Sequence, residues 1–146
     1  MKRSEHGLAM VEFTILLPLL LLILMSILEL GRAFYTYTEL EKLTRDCTRY
    51  LLNEISKDTT TTYALTQDQI DAASNLAVYG SVNGGSNAAL PALNTDQISI
   101  TQKSNHIQVE ITYPYQPVLA SIPSFFSTDA ISLNFNMTSS YTMRTL

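Results

Sequence analysis

From Leu8 to Leu28 the chain carries a single charge, Glu12, in 21 residues. As a helix that run measures roughly 31 Å at 1.5 Å per residue, close to the ~30 Å hydrocarbon core of a bilayer. Twelve Leu, Ile or Phe residues fall between Phe13 and Leu28, and together they favour insertion by about 4–7 kcal/mol. Thr14, Pro18 and Ser26 subtract from that sum without reversing it. Lys2 and Arg3 precede the run, so the N-terminus is expected to stay in the cytoplasm and the chain beyond about residue 30 to be exported. A cleaved secretory signal needs small residues just after the apolar core and a core of about 7–15 residues. Here the core is longer, and it is followed by Ser26-Ile27-Leu28-Glu29-Leu30-Gly31-Arg32. A spanning helix is therefore expected, and on these grounds an ordinary uncleaved anchor stays open.

Glu12 is the informative residue. A carboxylate in an apolar helix is costly and marks a functional position by default. It stands five residues after Gly7, in Gly7-Leu8-Ala9-Met10-Val11-Glu12-Phe13. Here the sequence resembles a prepilin. The resemblance implies cleavage between Gly7 and Leu8 by a membrane peptidase, with Glu12 and Phe13 recognised during cleavage and assembly. It also implies that Glu12 neutralises the new ammonium group of a mature N-terminus at Leu8, commonly on a neighbouring subunit. In a low-dielectric setting such a pair counts for far more than in water.

Glu29-Leu30-Gly31-Arg32, followed by Ala33-Phe34-Tyr35, sharpens the resemblance. With Val11-Glu12-Phe13, the Leu-rich run around Pro18 and Thr48-Arg49-Tyr50, it resembles the TadE-like family. These are minor pilins or pseudopilins of the Tad (type IVc) pilus. Tyr113-Pro114-Tyr115-Gln116-Pro117 and Tyr141-Thr142-Met143-Arg144 fit late elements of the same family. Residues 57–104 carry no motif that matches it. The resemblance implies a leader over residues 1–7, a transmembrane helix over 8–30 and an exported α+β domain over 31–146. The expected partners are other major and minor pilins through the N-terminal helix, a prepilin peptidase, the inner-membrane assembly platform and the lipid bilayer. The expected location is the bacterial inner membrane, with passage to the pilus or cell surface on assembly, in the service of adhesion or surface attachment. Glu29, Gly31 and Arg32 form the expected membrane-boundary motif. A simple ion pair between Glu29 and Arg32, three apart on a helix, explains them equally well. Phe34, Tyr35 and Tyr37 suit an aromatic belt at headgroup level.

Past the span, Leu40, Leu43, Cys47, Tyr50, Leu51 and Ile55 recur at helical spacing and predict one apolar stripe covering a small sheet. Asp58-Thr59-Thr60-Thr61-Thr62 ends that helix. Thr66 with Gln69 forms a capping box that opens a second, short helix. Its apolar face is Ile70, Ala73, Leu76 and Ala77, and Gly80 is its stop. Residues 81–93, with Gly84-Gly85 and Pro91, read as a surface loop. Alternation predicts three antiparallel strands: one through Ile98 and Ile100, one from Ile107 to Tyr113, and one from Ile131 to Tyr141. The first two form a hairpin about Ser104-Asn105. Residues 114–128, broken by Pro114, Pro117 and Pro123, read as an apolar loop that packs back on the core or presents an exposed patch to a partner. The fold class is α+β, type IV pilin-like.

The chain offers little for catalysis. Net charge is -4, with no basic run beyond Lys2-Arg3, so a nucleic-acid partner is not expected. Cys47 is the only cysteine; it closes no internal disulfide, belongs to no cysteine metal site, and reads as a buried small hydrophobe. Of the two histidines, His6 falls in the expected leader and His106 beside a turn. No nucleophile elbow is present, and the Asn136-Met137-Thr138 sequon lies in an expected strand. No enzyme activity, metal or cofactor is expected. The rival to a pilin is an uncleaved single-pass adhesin or ligand-binding protein.

Overall fold

The computed structural model describes residues 3–57, 64–103, 105–118, 121–122 and 131–145. Helix α1 runs Arg3–Lys57 and α2 Gln67–Tyr79; a 3-10 turn, Thr95–Gln97, precedes the strands. The strands are β1 (Ile98–Lys103), β2 (His106–Tyr115), β3 (Ser121–Ile122), β4 (Ile131–Ser132) and β5 (Phe135–Arg144). A long N-terminal helix, a second short helix and a three-stranded antiparallel sheet make this an α+β chain, as expected. It divides into two units, Met1–Phe34 and Tyr35–Leu146. The first unit is the apolar part of α1.

In the second unit, Leu40, Thr44, Cys47, Thr48, Leu51 and Ile55 are the buried side of α1. The stripe thus differs from the expected one. Leu43 and Tyr50 are only half-buried, while Thr44 and Thr48 are fully enclosed. Each Thr hydroxyl donates 2.8 Å back to a carbonyl one turn earlier, Thr44 to Leu40 and Thr48 to Thr44. The polar end is satisfied within the helix, and the methyl is free to pack.

Helix α2 is bounded as its local chemistry dictates. Thr66 Oγ1 accepts from the Gln69 amide (3.4 Å), and Gln69 Oε1 accepts from the Thr66 amide (3.0 Å). Gly80, at φ 71°, donates to the Leu76 carbonyl and ends the helix. Its buried side chains are Ala73, Ser74, Ala77 and Val78, with Ile70 and Leu76 half-buried beside them. Small residues there permit close approach, and the Cys47 thiol donates to the Ala73 carbonyl at 3.4 Å.

The segment after Gly80 is less superficial than a polar loop. Leu90 and Leu93 are buried, the Ala89 amide donates to Val78 O (2.7 Å), and the Tyr113 hydroxyl donates to Pro91 O (2.9 Å). Composition marks this stretch as turn-rich, but two leucines in it are enough to draw it inward.

The sheet order is β1-β2-β5, all antiparallel. Ile107, Val109, Ile111, Tyr113 and Tyr115 are buried, and the residues between them face outward. Lys103 pairs with His106, closing the expected hairpin over two residues. Pro114 pairs with Asn136, beyond Ile111, where β1 has ended. Among the described residues β2 has a paired strand on one side only there, a position that tolerates a missing N–H. The third strand begins later than expected. Ile131–Ser132 pairs instead with Ser121–Ile122 in a separate ribbon, and β5 proper starts at Phe135. The Asn134 amide donates to Ser132 Oγ (3.3 Å), a local turn that interrupts the run. Phe125 and Phe126, in the expected apolar loop, lie outside the described residues, as does Asp58 to Thr62.

Candidate functional site

The first unit presents its apolar side chains outward. Large hydrophobic residues from Leu8 to Leu30 are exposed, among them Leu8 at 74% and Ile15 at 71%. In water such a surface would aggregate; it calls for lipid or other apolar helices. The helix is long and apolar enough to cross a membrane. Its hydroxyls suit that environment, since Thr14 Oγ1 donates to Met10 O (2.7 Å) and Ser26 Oγ to Leu22 O (2.8 Å). Neither needs water. Pro18 lies inside the helix, as spanning helices allow.

Gly7, Leu8, Glu12 and Phe13 share the first turns of this helix. Leu8 and Glu12 are four apart, one above the other with about 6 Å of rise. Glu12 is exposed and has no ion-pair partner among the described residues. A Cβ placed on Gly7 would meet nothing within 4 Å, and the same holds at Gly31. Packing within the chain therefore requires glycine at neither position. Glu29 is half-buried and Arg32 exposed. Phe34, Tyr35 and Tyr37 are exposed along the helix.

Residues 7–49 match the model of the TadE-like protein family. This segment is TadE-like. The match begins at the glycine that precedes the apolar run and ends at Arg49, within the buried stretch of α1. The likeness is confined to this segment, less than a third of the chain. Neither the comparison with curated proteins nor that with solved structures returned a match.

The second unit holds features that the sequence did not announce. Lys42, Arg45 and Arg49 of α1 line an open groove of about 560 Å³ with Tyr141 and Met143 of β5. Its charges are largely paired along the helix, Glu39 with Lys42 at 3.8 Å and Glu41 with Arg45 at 3.7 Å. Such exposed pairs contribute little. Burial pushes the Cys47 thiol pKa up to about 12, so the thiol keeps its proton at neutral pH. Among the described residues no three of His, Cys, Asp and Glu gather as a metal-binding group. His106 is exposed on β2.

Proposed function

We propose that this chain is a minor pilin or pseudopilin of the Tad (type IVc) pilus, cut between Gly7 and Leu8 by a prepilin peptidase. Held in the inner membrane by residues 8–30, with the N-terminus cytoplasmic, it then joins other pilins through α1. There it takes part in assembly or in forming the tip of a fibre used for attachment. The observation that carries this reading is the exposed apolar helix with one unpaired carboxylate, Glu12, five residues after the glycine where the family match begins.

The chemistry is coherent. A free helix interior glycine costs about 1 kcal/mol relative to alanine, so the backbone at Gly7 opens into a peptidase more readily than its neighbours do. Cleavage would leave an ammonium at Leu8, one helical turn from Glu12. In a bundle of apolar helices the carboxylate of one subunit would take the ammonium of another. Close packing and a few such polar contacts hold helices together in lipid. Glu29, Gly31 and Arg32 would then sit where the helix leaves the bilayer.

N-terminal mass of the chain, purified from membranes with and without the host's prepilin peptidase, tests this. A product that begins at Leu8 only when the peptidase is present is the expected result. A chain beginning at Met1 in both would overturn cleavage and leave an uncleaved anchored adhesin.

A further inference from the structure

The hairpin end of the sheet carries a row of basic side chains that a pilin reading does not use. Lys103 of β1 pairs with His106 of β2, and His106 pairs with Arg144 of β5. Residues directly opposite in antiparallel strands project from the same face. All three are exposed, on the face opposite the buried Ile107 and the half-buried Met143. With strands about 4.8 Å apart, the backbones of the two outer residues stand roughly 10 Å from each other, with His106 between them. Lys and Arg side chains are long enough to lean in over His106.

Among the described residues no ion pair offsets this row. The acid on the same face of β2 is Glu110, four residues away, roughly 13 Å along the strand. At physiological ionic strength that exceeds the screening length of about 8 Å.

The guanidinium is also held in place. With the Asn105 amide turned so that its oxygen faces donors and its nitrogen an acceptor, the oxygen accepts from Arg144 Nε (3.0 Å) and Nη2 (3.2 Å), while the nitrogen donates to Thr145 O (3.1 Å). The Thr145 amide returns a bond to the Asn105 carbonyl (2.9 Å). Asn105 is thus fixed to the end of β5 by backbone and side chain, and it orients the guanidinium. Three of the five guanidinium N–H groups are left to donate elsewhere. An oriented guanidinium, an exposed ammonium and an exposed imidazole suit an oxyanion met from three directions.

We propose that Lys103, His106 and Arg144 form a binding site for a phosphate group, carried by a free phosphate compound or by a phospholipid headgroup. A tetrahedral group with three outward oxygens matches three donors better than a carboxylate with two. The site is shallow and exposed, so its affinity rests on charge and falls with salt.

The test uses the full chain in phosphatidylcholine nanodiscs and two probes. Inorganic phosphate is titrated while the His106 ring signals are followed by NMR, and co-sedimentation is measured with vesicles containing phosphatidylglycerol. Variants are Lys103→Gln with Arg144→Gln, and Lys42→Gln as an exposed cation outside the row. Binding of either probe that weakens at least tenfold in the double variant and less than twofold in Lys42→Gln supports the site. The probe that binds names the source. An unchanged melting temperature in the double variant separates lost binding from lost folding, and Arg144→Lys with Asn105 intact should recover part of it. No binding of either probe, or equal loss in Lys42→Gln, overturns the proposal.

Discussion

Cys47 combines full burial with a hydrogen bond from its thiol to the Ala73 carbonyl at 3.4 Å. Desolvation raises its pKa from 9.0 to about 12. The sign of the consequence follows. Below pH 9 both folded and unfolded chains keep the proton, and the group makes no pH-dependent contribution. Above pH 9 the unfolded chain releases it first, so stability falls as pH rises toward 12. At pH 10.5 the loss from this group is about 2 kcal/mol. Denaturant midpoints of the full chain in detergent, compared with Cys47→Ala at pH 8 and pH 10.5, check this. The gap between the two proteins should narrow by about that amount. Thr48 gives a second residue-scale test. Its hydroxyl bonds only within its own helix, so Thr48→Val exchanges a satisfied hydroxyl for a methyl of similar shape. The expected change in stability is below about 1 kcal/mol, and a much larger loss would mean that the hydroxyl holds a partner across the core.

At the scale of elements, α2 owes its ends to identifiable side chains. Thr66→Ala removes one half of the capping box and should cost about 1 kcal/mol. A Cβ at Gly80 meets nothing within 4 Å, so Gly80→Ala pays only for the left-handed backbone, roughly 1–2 kcal/mol. Midpoint shifts in urea measure both. These boundaries were legible in the sequence because each rests on residues a few positions apart. The apolar helix and the Gly7–Glu12 spacing were legible for the same reason. What escaped depends on partners far along the chain. Thr44 and Thr48 score as polar in any period count, yet a back-bonded hydroxyl fits a core. Leu90 and Leu93 are pulled in by contacts that begin at Val78 and Tyr113. The small ribbon of β3 and β4 needs its own pairing register, and the alignment of Lys103, His106 and Arg144 exists only once three strands are set side by side. His106 alone reads as a solvated side chain; two neighbours from other strands change its meaning.

For the whole molecule the decisive question is what the carboxylate at Glu12 is for. If α1 served only as an anchor, an acid among apolar residues would oppose it, since ionisable groups in a spanning helix are unfavourable. Replacing it would then improve insertion and change nothing else. In the pilin reading, the same replacement removes the partner of a neighbouring subunit's ammonium and leaves that charge unpaired in a low-dielectric bundle, a loss of several kcal/mol. Glu12→Ala therefore separates the two. Carbonate-resistant membrane association should be unchanged or stronger in both cases. In a host that makes the Tad pilus, the amount of this chain in the sheared surface fraction should fall at least tenfold if Glu12 serves assembly. Wild-type amounts there would overturn the assembly role, because one unpaired ammonium per subunit is too costly for the bundle to absorb unnoticed. Glu12→Asp sharpens the result. It keeps the charge but shortens the reach by one methylene, so partial recovery is expected where the contact is a direct ion pair between helices packed closely side by side.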